Sequence, residues 1–170
     1  MKRIRKHRLL EHQGTLHAYA MAITREPETA ADLVQDCAVR VLRSTRVPAD
    51  NKAFKVWLFA IVRNLWIDNF RKNKVRNEVS IDDLCETALP VQADLVIVNA
   101  LAVRLAFEEL SADHQDVLAL VDIAGFSYAE TAGILDVAHG TVMSRVSRAR
   151  CALASMLEQE DVVDIFARKR

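Results

Sequence analysis

The chain has 170 residues, 51% of them apolar, and its 23 Lys and Arg balance 23 Asp and Glu, so the formal net charge is zero. That length allows one or two small domains with compact cores. The zero balance argues against tight binding to nucleic acid by the chain alone, and the lack of any apolar run of about 18 residues excludes a helical membrane span.

The N-terminus, Met1-Lys-Arg-Ile-Arg-Lys-His-Arg8, is basic but lacks the apolar stretch of a secretory signal. A first helix is predicted from about His7 to Thr24, ended by the Arg25-Glu-Pro27 break. Pro27 suits the first position of a second helix reaching about Arg43. In it Leu33, Val34, Cys37 and Val41 point to a core, and Asp32, Gln35, Asp36 and Arg40 point outward. Residues 44–53 read as a loop, with Pro48 and Asp50-Asn51 as breakers. A long helix follows from Phe54 to about Lys74, with Phe54, Leu58, Ile61 and Leu65 as its core stripe. Trp57, Asn64 and Arg71 recur every seven residues along an adjoining edge. An aromatic, an amide and a guanidinium in a row can stack on, hydrogen-bond to and neutralise a nucleic-acid strand, although burial is the commoner fate of a Trp.

Residues 77–94 have no sustained period and carry Glu78, Asp82, Asp83, Glu86 and Asp94 with Pro90; they read as an acidic linker. Asp94 is placed to cap a helix to about Glu109, with Val98, Leu101, Ala102 and Leu105 inward. Ser111 is placed to cap the next, whose core face is Val117, Leu120, Val121 and Ala124. Ser127 and Glu130 then have the spacing of a capping box, opening a short helix with Ala132 and Leu135 inward. Asp136 to Gly140 interrupts the period. The last helix puts Val142, Val146, Ala149 and Leu153 on one stripe, and Thr141, Ser144, Arg145 and Arg148 on another. Two helices joined by a short turn, the second with hydroxyls and guanidiniums on one face, have the build of a DNA-reading helix-turn-helix. Residues 159–170 read as a charged tail.

Charge is unevenly spread along the chain. Positive clusters lie at Lys2–Arg8, Arg63–Arg76 and Arg145–Arg150, and acidic groups fill Glu78–Asp94 and Glu108–Asp136. Such a division suits one face for phosphate and another for a basic protein partner. Cys37, Cys85 and Cys151 are far apart, without CxxC or His–Cys spacing, and read as free thiols in a reducing cytoplasm. No metal or cofactor is implied. Only 4 Gly and 3 Pro favour an all-helical chain.

The motif Gly125-Phe-Ser-Tyr-x-Glu130, followed by Gly140-Thr-Val-x-Ser-Arg-Val-x-Arg-Ala-Arg150, resembles the promoter-reading C-terminal domain of bacterial RNA polymerase sigma factors, especially the extracytoplasmic-function (ECF) group. Thr131, Asp136 and Met143 stand where Ile, Gly and Lys are common in that family. Ala30-Ala-Asp-Leu-Val-Gln-Asp36 resembles the sigma motif that docks on core polymerase, which implies polymerase contacts at Asp32, Gln35 and Asp36. The run Trp57 to Lys72 resembles the segment that recognises the downstream (−10) promoter element. By match, Arg63, Asn64, Arg71 and Lys72 are its DNA-binding positions, with Asp68 orienting a neighbour. On the last helix, Thr141, Ser144, Arg145 and Arg148 are the positions implied for the upstream (−35) element.

The expectation is an all-α chain of two small helical domains, 1–76 and 95–158, joined by an acidic linker. The resemblance implies a sigma factor whose partners are core RNA polymerase, promoter DNA and an anti-sigma protein, with no enzymatic step and no membrane association. The Trp57-Leu-Phe-x-Ile-x-Arg-Asn64 and Gly125-Phe-Ser-Tyr128 segments look most like the alphaproteobacterial general-stress-response subgroup. A helix-turn-helix regulator that binds its operator without polymerase is the alternative. It has no need of the Asp32–Asp36 and Trp57–Arg71 constellations. An enzyme using Cys and His has little support, because no phosphate loop, nucleophile motif or metal cluster is present.

Overall fold

The computed structural model describes residues 2–76 and 95–167. The acidic segment 77–94, with Cys85 and the expected Asp94 cap, lies outside the described residues. Everything described is helical or connecting loop: α1 (Lys2–Thr24), α2 (Pro27–Arg43), α3 (Asn51–Arg76), α4 (Leu95–Glu109), α5 (Ala112–Leu118), α6 (Tyr128–Leu135) and α7 (His139–Ala167).

The helix ends follow from local chemistry. Arg25 takes a left-handed conformation (φ 63°), and its N–H donates to the Met21 carbonyl, closing α1. Pro27 then opens α2. α3 begins three residues before the expected Phe54, because Asp50 acts as an N-cap. Its Oδ2 accepts from the Ala53 N–H at 2.7 Å, so Asp50-Asn51 starts the helix rather than breaking it. α7 continues through residues 159–167, which the sequence suggested as a tail. No Gly or Pro follows Gly140 to stop it.

α1, α2 and α3 pack into one bundle around Leu16, Tyr19, Leu33, Cys37, Val41, Phe54, Leu58 and Val62, all at most 1% exposed. Burial pushes the Cys37 thiol up to about 12, which leaves it an inert core side chain. Part of the N-terminal positive cluster is structural. Arg5 donates to the Ser44 carbonyl (2.6 Å), and Arg8 donates to those of Pro48 (2.9 Å) and Asp50 (3.0 Å) while lying 4.0 Å from the centre of the Phe54 ring. Two arginines of α1 thereby brace the loop between α2 and α3.

In the second half α4, α5 and α6 pack on α7. The inner stripe expected for α4 needs correction: Leu105 is 47% exposed, and Ala106 and Leu110 are buried instead. Val98 lies outside the described side chains. Ser111 sits at the start of α5, but its side chain makes no capping bond. The end of α4 is satisfied from α5, where buried Gln115 donates to the carbonyls of Phe107 (2.8 Å) and Glu108 (3.1 Å). The core face of Val117, Leu120 and Ala124 is as expected.

Beyond Leu118 the helix widens over Ala119–Ile123 into a π-type turn, closed by Ala124 N–H to Ala119 O at 2.9 Å. Gly125 (φ 70°) then reverses the chain, and Phe126 enters the core. Phe126 meets Phe59 of α3 edge to face, with ring centres 4.8 Å apart. The buried residues of both halves form one continuous cluster. The linker alone did not foretell this; the two halves lie packed against each other.

Candidate nucleic-acid and partner interfaces

The helix-turn-helix is built by α6 and α7. Ser127 and Glu130 form the expected capping box: Glu130 N–H donates to Ser127 Oγ (3.3 Å), and Ser127 N–H donates to Glu130 Oε2 (2.8 Å). The Ser127 hydroxyl also donates to Glu130 Oε2 (2.7 Å), and this bond, with that from the Ser127 N–H, holds the Glu130 carboxyl below its ordinary pKa. Asp136, at a position where the family favours Gly, ends α6 in the left-handed conformation (φ 55°), which Asp tolerates better than most side chains. Gly140 lies inside the first turn of α7, not in the connecting turn, because α7 starts at His139. Thr131 is fully buried, and its Oγ1 has no hydrogen-bond partner among the described residues.

On α7, Val142, Val146 and Ala149 are buried as expected, which orients the rest of the helix. Ser144 and Arg148 are exposed and Thr141 is half-buried. The four candidate contacts do not form one unit. Arg148 folds back along its own helix, donating to the Ser144 carbonyl (3.2 Å) and Oγ (3.3 Å), and Ser144 Oγ donates to the Thr141 carbonyl (3.0 Å). Arg145 instead reaches α5, where Asp113 Oδ2 holds it at 2.7 Å. Arg150 is likewise paired with Asp122 at 2.6 Å. Met143, where Lys is common, is half-exposed and offers no charge to phosphate.

The second DNA-reading candidate is α3. Asn64 and Arg71 are exposed on its outer edge, and Asp68 is exposed between them. Trp57 is half-buried, its ring 5.9 Å from that of Phe54, so it is partly a core residue. Lys72 lies outside the described side chains. Arg63 is set apart from Asn64: its Nε donates to Asp116 Oδ2 of α5 at 3.1 Å, with both side chains under 20% exposed. Burial raises the Asp116 carboxyl above its usual value, outweighing the attraction of Arg63. Burial and the nearby Asp116 raise Tyr19 as well. Arg25, Arg63 and Arg71 line a cavity of about 650 Å³ between the halves, with Asp113 and Asp116 on the other wall.

On α2, Asp32, Gln35 and Asp36 are exposed together, as their place opposite Leu33, Cys37 and Val41 requires. The same outer stripe continues into Val39 and Leu42, both exposed. These two are not among the residues expected from the sequence to make contacts, although apolar residues lying off the core stripe were a signal for them. The acidic residues of α5 lie in the Glu108–Asp136 cluster, but their pairing with Arg63 and Arg145 left no signal in the sequence, because ion pairs between distant segments leave no local pattern.

Two protein-family models match the chain, Sigma-70 region 2 over residues 9–76 and Sigma-70 region 4 over residues 100–153. The chain is 31% identical over 150 residues to the ECF RNA polymerase sigma factor EcfG of Rhodopseudomonas palustris, covering 88% of this chain and 83% of that protein. It is 34% identical over 154 residues to the ECF RNA polymerase sigma factor SigL of Mycobacterium tuberculosis, covering 88% and 86%. Among solved structures, it resembles the sigma factor RpoE of Bartonella quintana, solved with the anti-sigma factor NepR, at a TM-score of 0.71 and 31% identity, covering 90% of this chain and 96% of that one. CnrH, solved with the cytosolic domain of CnrY, shares the fold at a TM-score of 0.67 and 22% identity, over 94% and 90% of the two chains. With both sigma-70 regions present in order and this degree of identity over nearly its whole length, the chain belongs to the extracytoplasmic-function group of RNA polymerase sigma factors, which bind core polymerase and direct it to promoters.

Proposed function

We propose that the work of this sigma factor is divided between two modules, residues 1–76 and 95–158, with 77–94 as the tether between them. Asp32, Gln35 and Asp36 hold core polymerase. Arg63, Asn64, Arg71 and Lys72 act on the downstream element, and Thr141, Ser144, Arg145 and Arg148 act on the upstream one. The observation that carries this reading is the exposure of Asp32, Gln35 and Asp36 on one helix and of Ser144 and Arg148 on another, each opposite a buried apolar stripe. Carboxylates suit a basic protein surface, and hydroxyls beside a guanidinium suit base edges and phosphates. The factor acts by binding, in the cytoplasm, with no covalent step.

The genes it serves are those of a stress response, and an anti-sigma protein holds it inactive. Likeness to a sigma factor solved with its anti-sigma factor supports the second statement, and the Trp57–Asn64 and Gly125–Tyr128 segments support the first. Gel shifts and in-vitro transcription on a promoter library test the proposal: specific promoter binding is expected only when core polymerase is added. Tight, specific binding by the isolated chain would favour a polymerase-independent regulator.

A further inference from the structure

Arg25 stands where glycine is the usual choice. It ends α1 in the left-handed conformation (φ 63°), which a long side chain adopts only at a cost, and such strain clusters where a side chain is used. Arg25 lines the cavity of about 650 Å³ between the halves, together with Arg63 and Arg71 of α3. The carboxylates on the opposite wall are already committed, Asp116 to Arg63 at 3.1 Å and Asp113 to Arg145 at 2.7 Å. The guanidiniums of Arg25 and Arg71 have no hydrogen-bond or ion-pair partner among the described residues, so they are left without a counter-charge. Beside them, Trp66 and Ile67 give the cavity a half-buried apolar wall.

We propose that this cavity is a binding site for a nucleoside polyphosphate, with the phosphates between Arg25 and Arg71 and the base against Trp66. The volume lies within the range of small-molecule sites, roughly 300–1,000 Å³. Two unpaired guanidiniums in one cavity call for two phosphates, since each takes one phosphate through its forked N–H donors. A ligand with a single anionic group would leave one of them unmatched. Asp116 neutralises Arg63, so the third guanidinium forms part of the wall and does not add to the charge the ligand must meet. An indole stacks on any base, so the site selects the phosphates closely and the base loosely. Arg71 is also a proposed promoter contact, and a phosphate chain held on it competes with the promoter strand for the same donors. That competition rests on the function proposed above; the binding site does not.

The test titrates the full chain with GDP and ADP by isothermal titration calorimetry, with guanosine and inorganic pyrophosphate as the two halves of the ligand. GDP and ADP are expected to bind saturably and within about ten-fold of each other, and guanosine and pyrophosphate each at least about ten-fold more weakly. Arg25→Gly and Arg71→Ala are each expected to weaken GDP binding about 10- to 100-fold, the loss of one charge-assisted contact. Arg43→Ala removes an exposed arginine that is not part of the cavity wall and is expected to leave binding unchanged. Without nucleotide, Arg25→Gly should unfold no lower in temperature than the unaltered chain, because glycine relieves the strain at φ 63°, so its loss of binding is not a loss of fold. With Trp57 replaced by Phe, Trp66 is the single tryptophan left, and GDP is expected to quench its fluorescence while pyrophosphate does not. The proposal is overturned if millimolar GDP shows no saturable binding, if pyrophosphate binds as tightly as GDP, if Arg25→Gly and Arg71→Ala bind like the unaltered chain, or if Arg43→Ala loses as much as they do. GDP that binds as expected yet leaves strand opening by the holoenzyme unchanged, read by permanganate with no other nucleotide present, would refute the competition and leave the site standing.

Discussion

The two arginines of α7 proposed to contact DNA differ in what they must give up to reach it, and that difference sets a measurable contrast. Arg148 is tied only to its own helix, through Ser144, and can turn outward by a rotamer change. A bidentate guanine contact contributes about 1–3 kcal/mol of discrimination, so Arg148→Ala is expected to weaken upstream-element binding about 5- to 150-fold and to relax preference at one base. Arg145 is 25% exposed and already paired with Asp113, itself 62% exposed. A DNA contact by Arg145 must first forfeit that pair, so its net gain is the difference between two ionic bonds. Arg145→Ala is therefore expected to cost less than about 1 kcal/mol in binding, comparable to an exposed ion pair. Asp113→Asn should tighten binding, because the guanidinium no longer leaves one anion for another. The assay is fluorescence anisotropy of holoenzyme on upstream-element duplexes, repeated over single-base changes. Equal losses for Arg145→Ala and Arg148→Ala, with equal loss of base preference, would refute the reasoning.

Asn64→Ala is expected to spare closed-complex recruitment and lower strand opening, read by permanganate reactivity of unpaired thymines. A pre-melted downstream bubble should rescue it and should not rescue Arg148→Ala. Asp36→Arg reverses a charge on the exposed stripe of α2, so pull-down of core polymerase should drop while circular dichroism stays unchanged. Thr131→Val replaces a buried hydroxyl that has no partner with an apolar group of the same shape. It should raise stability by about 1 kcal/mol in thermal or urea unfolding, and a loss of stability would mean that the hydroxyl is satisfied.

The local elements were legible in the sequence because their causes are local. Pro27 at the head of α2, the Ser127–Glu130 box, and the stripe of Val142, Val146 and Ala149 each depend on residues within a turn or two of one another. The outward position of Asp32, Gln35 and Asp36 followed from the same periodicity, since a helix that buries Leu33, Cys37 and Val41 must expose the opposite face. Other features depended on what lay across the gap. Leu105 has the spacing of a core residue, but the neighbours packed on α4 bury Ala106 and Leu110 instead. Asp50-Asn51 has the composition of a loop, yet Asp50 becomes a cap once the chain after it turns helical. Arg63 and Asn64 are adjacent and looked equivalent. Only the packing of α5 and α6 against α3 separates them, because successive helix positions lie about 100° apart and a neighbour on one side reaches only one of them. Composition and spacing thus determined which helices form and, except on α4, the main stripe each buries. The tertiary structure decided which of the exposed charges are already spent on one another: ion pairs between residues 53 apart, such as Arg63 with Asp116, come from the packing of whole helices and leave no trace in any local pattern.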